Sequence, residues 1–558
     1  MALASFCLNP SSGPIDVELV VENVAIVDVR SGKHIEHHVL VVDDGVILDV
    51  VPEASAASYV AERIIDGAGG YLIPALGDVH VHLQSYAELK SYLRYGVTAV
   101  FNMSGRPEHL RMKASTSRGD VLGPRIFSVG PTLDGLEPTN PLFTAVTPDT
   151  ADEIVAWIQA QGYDAIKVYQ RIEQDALAAV VSSATARGMI TTGHVSRLAG
   201  IDGSLAAGLR YIAHGEELAF PYYDSESRGY VPMGLPALAR LLRVAGATVT
   251  PMVDYLESIP PQVLDLDGYL DQAPMQLVPA AVKLSWGERQ GYYSNRRNPV
   301  QYVAQVRALA GFVGALTHVL QDEGVPLLLG TDASFGGAIP GYSVHQELLS
   351  LVRVGLTPLQ ALQAATINVG VYLNDSGVLD VAWGEIKAGY AADFVLLRRD
   401  PLADISATQD IAGVAKAGAW LGQLELANIE SALRVEQDEL YDKTHAVEAH
   451  IAEGDAAALR ALVDAYRAPG VVDPLIHPDN CIFLGYRHYY GGRRALAGEL
   501  YESCALMSPR HAPLWIHVAR AREASGDEAG ALEAYQTAES LNPWYGRPRQ
   551  AVNRLERE

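Results

Sequence analysis

Residues 16–66 alternate β-branched and polar positions, first in VELVVENVAIVDV and again in HHVLVVDDGVILDVV. Period-two alternation with a turn signal at Asp43-Asp44-Gly45 predicts a small β unit, and one that lacks its own closing half. From Leu72 the pattern changes. Short apolar runs alternate with segments of helical period. Leu72–His82 reads as a strand, AELKSYLRYG as a helix stopping at Gly96, and VTAVFNM as a second strand. GPRIFSVG is a third strand, and a helix with its cap at Thr150 and its stop at Gly162 leads to a fourth, DAIKVYQ. Helix DALAAVVSSATARG leads to MITTGHV, GSLAAGLR to YIAHG, LPALARLLRVAG to ATVTPMV, and AQVRALAGFVGALTHVLQDEG to VPLLLGTDAS. Eight such alternations predict an α/β protein built on a (β/α)8 barrel. A doubly wound open sheet would carry a Gly-rich phosphate turn after its first strand, and none is present.

After the barrel the pattern returns to strands in GEIKAGYAADFVLLRRDPLADI, which could complete the N-terminal unit as a two-part β-sandwich. From about residue 433, Ala, Glu, Arg and Leu recur at helical spacing. Gly492, Ala497, Tyr501 and Pro509 recur 34 residues on as Gly526, Ala531, Tyr535 and Pro543. This period and these residue types resemble the tetratricopeptide pattern; residues 450–469 read as a third, irregular copy. The expected organisation is 1–72 β-sandwich, first part; 73–378 barrel; 379–432 β-sandwich, second part; and 433–558 an all-α helical-repeat domain.

Charge narrows the partners. The net charge is −24, from 66 acids against 42 bases, which disfavours nucleic acid and anionic membrane surfaces. No run approaches the ~18 apolar residues of a membrane span, and the N-terminus lacks a basic segment before its apolar stretch. A small soluble substrate and a cytoplasmic location are expected, though a replaced secretion leader would look the same. The helical tail is expected to serve self-association, a protein partner or packing on the barrel. Three scattered cysteines, Cys7, Cys481 and Cys504, read as ordinary thiols rather than a disulfide framework.

The candidate chemistry lies at the C-terminal ends of the predicted strands, which a barrel converges on one spot. His80 and His82, two apart on a strand, face one side. Lys167 ends the fourth strand, His194 the fifth, His214 the sixth and Asp332 the eighth. Imidazoles and a carboxylate suit zinc-like ions. Alone, each has an ordinary reading: a structural histidine, a surface lysine, a helix cap. An ammonium cannot ligate, but a buried lysine with a lowered pKa can add CO2, and the resulting carbamate offers two oxygens. The 255–300 segment, with Trp286, Arg289, Tyr292, Tyr293, Arg296 and Arg297, is either a lid or a solvated insertion.

The motifs PALGDVHVHL, GVTAV, AIKVY, GHV, AHGEE, GTDAS, GYSVHQELLSLVRVGLTPLQALQAAT and GEIKAGYAADFVLLRRDPL, over about residues 16–430, resemble the amidohydrolase superfamily in its imidazolonepropionase-like and prolidase-like binuclear branch. The resemblance implies that His80, His82 and Asp332 bind one divalent ion and His194 and His214 a second, both zinc, with carboxylated Lys167 bridging them. It implies hydrolysis of an amide or peptide-like C–N bond by a metal-bridged hydroxide, with Asp332 as general base. Tyr169 is a candidate oxyanion donor, and Arg197 or the Arg289 and Tyr292 cluster a candidate hold on a substrate carboxylate. Two departures bear on a dipeptidase reading: GPTLDGLEPTNPLFT has no His after the third strand, and Phe101-Asn102 stands where many relatives carry Arg-Asp. A lactonase on the same centre, and a non-catalytic binding protein acting through its tail, are the alternatives.

Overall fold

The computed structural model describes residues 14–557, apart from 141, 227–228, 279–297, 466, 469–470 and 473–477. The N-terminal alternation forms β1 (Ile15–Asp28), β2 (Lys33–Asp43), β3 (Val46–Pro52) and β4 (Tyr59–Pro74). Asp44 and Gly45, both at positive φ (48° and 70°), make the turn between β2 and β3; two such residues give the twist a two-residue hairpin needs.

Eight short strands follow. They are β5 (Leu76–Val81), β6 (Val97–Asn102), β7 (Arg125–Ser128), β8 (Leu133–Asp134), β9 (Thr144–Ala145), β10 (Ala165–Val168), β11 (Ile190–Gly193) and β12 (Tyr211–Ile212). Beyond the hairpin β13 (Tyr223–Asp224) and β14 (Gly229–Tyr230) lies β15 (Thr248–Val249). β5-β6-β7 form one parallel sheet and β15-β12-β11-β10-β8-β9 another. Isolated parallel bridges join Val129 to Ala165, Val249 to Leu327 and Ala333 to Val81. β5, β6 and β10 are buried at every position, as parallel strands covered on both faces must be.

Four expectations change. The predicted eighth strand is not regular: Asp332 sits at φ 61°, which breaks an extended run. The stretch nonetheless follows β5, with Val79 N donating to Leu329 O (3.0 Å) and Asp332 N to His80 O (2.8 Å). The late strands β16 (Phe394–Leu397), β17 (Ile411–Lys416) and β18 (Ala419–Gly422) do join the N-terminal unit, as one continuous seven-stranded sheet, β18-β17-β16-β4-β1-β2-β3, where a two-part β-sandwich was expected. Leu72 of β4 pairs with Leu396 of β16. Helix Gln423–Glu453 begins ten residues ahead of the expected all-α boundary at 433. Finally, helix Pro299–Asp322 is long and apolar enough, by length and composition, to cross a membrane, where no such run was expected; half of its most apolar window is buried, and it packs on helices Leu235–Ala245 and Val253–Leu264.

The C-terminal helices Pro478–Tyr490, Arg494–Met507, Ala512–Ala524, Glu528–Leu541 and Gly546–Leu555 pack each on the next. Gly492 and Gly526 turn the chain at φ 88° and 84°, and Ala497, Ala531, Tyr501 and Tyr535 are buried in the tail's core. The reading of all cysteines as thiols is corrected here. Cys481 and Cys504 form a disulfide, with Cα atoms 6.4 Å apart. They lie 23 residues apart in sequence on two packed neighbouring helices, an adjacency that a cysteine count does not contain.

Candidate metal centre

β5 places His80, and His82 just beyond it, on one side. Nε2 of His80 lies 3.2 Å and Nε2 of His82 2.9 Å from Oδ1 of Asp332. The His80 ring centroid is 4.6 Å from that of His214, and His214 is 4.5 Å from His194. Ligand atoms of His80, His214 and Asp332 all lie within 4.8 Å of one another, and all three residues are buried. Lys167, on β10, is buried too, within electrostatic reach of Asp332, His80 and His194. The six ligand positions expected from the sequence are thus brought to one place.

The protonation states suit cation binding. Burial, reinforced by Lys167 and neighbouring imidazoles, holds His80 and His194 well below the usual imidazole range, so both are neutral donors. Burial favours the neutral acid at Asp332, yet His82 and His80 beside it hold the carboxyl well below its usual range. Burial pushes Lys167 down to about 8, against the pull of Asp332, Glu217 and Glu216. His214 moves the other way: burial lowers it, but Glu216 and Asp332 raise it on balance.

A fit to a cation can be tested on polar atoms that lack partners. Nδ1 of His80 is buried without a hydrogen bond, and Nε2 of His80 and Oδ1 of Asp332 are buried at 3.2 Å from each other without good hydrogen-bond geometry. Buried polar atoms in a folded protein are almost always satisfied. A divalent ion held by imidazole nitrogen and carboxylate oxygen would satisfy them, and the donor set fits zinc and similar ions.

The sequence analysis assigned no role to the residues that orient this cluster. Glu217 Oε1 accepts from Nδ1 of His194 (2.7 Å) and from Nε2 of Gln170 (2.7 Å). That bond puts the proton on Nδ1 and leaves the His194 Nε2 lone pair for a ligand. Glu216 lies 3.3 Å from Nδ1 of His214. Asp78, wholly buried, accepts from His80 N, Thr331 N and Thr331 Oγ (3.2, 3.1 and 2.6 Å), tying β5 to the stretch that bears Asp332. The signals were in view: Asp78 is two residues before His80, and Glu216-Glu217 follow His214. Replacing Glu217 with Gln is expected to weaken divalent-metal retention by about 10–100-fold, read by titration against a chelator; unchanged retention would show that Glu217 does not orient His194 for a metal.

Tyr169 packs edge-on against Phe143 (4.9 Å) and lies 4.1 Å, centroid to centroid, from His194. The Arg197 guanidinium sits 4.2 Å over Phe220, and its backbone N donates to Gln170 O. Arg289, Tyr292 and the rest of the 286–297 cluster lie outside the described residues. Asn102, at the Phe101-Asn102 departure, is buried and structural. Its side chain donates to Ser128 Oγ, meets His109 Nδ1 and accepts from Leu83 N. In the His-less loop after β7, Asp134 accepts from Thr139 N and Arg171 N, both at 2.7 Å.

Comparison with known proteins bears on this arrangement. The sequence profile of the Amidohydrolase family matches residues 71–421. Ochratoxinase from Aspergillus niger is 34% identical over 87 residues, 16% of this chain and 17% of that protein, so the match spans about a sixth of its length. Among solved structures, bottromycin amidohydrolase superposes with a TM-score of 0.60 at 25% identity, over 75% of this chain and 89% of the other. A Xaa-Pro dipeptidase with bound methionine superposes with a TM-score of 0.55 at 19% identity, over 72% and 99%; at that identity the likeness concerns the fold.

Proposed function

This chain belongs to the amidohydrolase family, and from that premise we propose that it is a metal-dependent hydrolase cleaving an amide or peptide-like C–N bond of a small substrate. One observation carries the reading: ligand atoms of buried His80, His214 and Asp332 lie within 4.8 Å of one another, with His82 2.9 Å from Asp332 and the His194 ring 4.5 Å from that of His214. In the proposed centre His80, His82 and Asp332 would hold one divalent cation and His194 and His214 a second, zinc being an ion the donors suit. Lys167 would carry a carbamate, formed when its neutral amine adds CO2 with an N–C bond made and one proton lost, and the carbamate would offer two further oxygens as ligands. The cations, when bound, supply a lowered pKa for water and a polarised carbonyl.

The chain's own groups do the rest. Asp332, ionised, takes the proton of the attacking water and delivers it to the leaving nitrogen. Tyr169, beside His194, is placed to donate to the developing oxyanion. Arg197, steadied on Phe220, offers a fork for a substrate carboxylate.

We read the strands β5, β6, β7, β10, β11, β12 and β15 and the 327–333 stretch as one closed (β/α)8 barrel; the parallel bridges at Val129, Val249 and Val81 support this. The 34-residue recurrence, with its glycine turns and buried Ala and Tyr positions, supports a tetratricopeptide-like tail. The test is a screen of metal-reconstituted protein over N-acyl amino acids, dipeptides and lactones. Turnover of the amides, lost on chelation and restored by Zn2+, is expected; turnover of lactones alone would move the assignment to an esterase, and turnover of none would refute the hydrolase reading.

A further inference from the structure

Where the helical tail meets the barrel side there is a cavity of about 390 Å³, within the size range of small-molecule sites. Its barrel wall is the first turns of helix Pro107–Arg118, with Arg106 and Arg111, and the end of helix Ala151–Gln161, with Trp157 and Tyr163 close by. Its tail wall holds Arg510, at the entry to helix Ala512–Ala524, and Asn542 and Tyr545. Three arginines line this space, and no carboxylate lines it among the described residues. In a chain of net charge −24 that is a local reversal of sign.

The charges and the rings belong together. Tyr163 and Tyr545 are buried, and both feel the Arg106 guanidinium; Tyr163 feels Arg510 as well. The Glu108 carboxylate acts on both rings as well and pairs with Arg111 at 3.2 Å, so one carboxylate stands against three guanidiniums and the lining keeps a positive excess. The Nδ2 of buried Asn542, beside the Tyr545 hydroxyl, makes no hydrogen bond of ordinary length. Flat aromatic faces and forked cations are what an aryl or arylalkyl carboxylate requires: rings for its body and guanidiniums for its anion.

We propose that this junction is a binding site for a small aromatic carboxylate, separate from the candidate metal centre. Both walls contribute charge, so occupancy joins tail to barrel.

The experiment is calorimetric titration of the full chain with 3-phenylpropanoate, 3-phenylpropan-1-ol and butanoate. Saturable binding of the aryl carboxylate is expected, with the neutral alcohol and the non-aromatic acid each weaker by about tenfold or more. Arg510→Glu, at an exposed position, and Arg111→Gln, which keeps a hydrogen-bond donor to buried Glu108, are each expected to weaken 3-phenylpropanoate by about tenfold or more. Neither residue is among the charges that act on His80 or Asp332, so that loss assigns binding to the junction. Absence of saturable binding up to millimolar concentrations, or affinity that both variants leave unchanged, would overturn the proposal.

Discussion

Replacing Asp332 with Asn is expected to lower kcat by about 10³-fold or more, in a protein that stays folded and still retains metal. The Asp332 Oδ1 lies between Nε2 of His82 and Nε2 of His80, at 2.9 and 3.2 Å. Asn keeps the volume and one ligating oxygen, so the packing that holds the 327–333 stretch against β5 is preserved. What it loses is the ability to accept a proton. The neighbouring imidazoles keep Asp332 ionised far below neutrality, so the wild-type pH profile of kcat should show no acid limb from this carboxylate near pH 4. Metal content by mass spectrometry and kcat on the best amide substrate, measured on one preparation, separate the outcomes. Wild-type turnover in the variant would refute the base assignment; loss of metal together with turnover would reduce Asp332 to a ligand.

The sequence was informative where a local pattern meets a global constraint. His80 and His82 were legible as a same-face pair because β5 is an extended, fully buried strand, and its position after the β unit said which end they occupy. Lys167 stood out as a charge inside the apolar run AIKVY, and it is buried. Other features depend on contacts that no local pattern encodes. The sixth and seventh strands shrink to two residues each, because pairing at Tyr211–Ile212 and Thr248–Val249 is all the neighbouring strands support. The Cys481–Cys504 bond depends on two helices packing face to face. Glu217 stands three residues past His214 but acts across space on His194, 23 residues away, so its position marked it as a site residue without saying which imidazole it orients. The long helix from Gln423 shows no break at 433, since strong helix formers run through the predicted boundary and only the pairing of β18 with β17 ends the sheet.

Lys167→Met is expected to lower kcat by about 10³-fold and to reduce bound divalent metal to about one ion per chain or fewer. Met matches the length of the lysine stem and fills its buried slot, so a folding defect is not the expected cause of the loss. Lys167→Ala leaves space instead, and added formate or acetate should restore part of the activity by supplying the two oxygens the carbamate would have presented. The wild-type amine adds a pH signature. Only the neutral form attacks CO2, and burial brings Lys167 down to about 8. The neutral fraction therefore rises about tenfold per pH unit below pH 8 and levels off above it. At fixed dissolved CO2, not fixed total bicarbonate, the rate at which metal-free protein regains activity on adding Zn2+ should follow that curve. Fixing CO2 matters because its share of total inorganic carbon falls as pH rises and would mask the rise in neutral amine. Recovery that ignores CO2 altogether, with Lys167→Met matching wild type in metal content, would remove the bridging lysine from the centre and leave the histidines and Asp332 to hold a single ion.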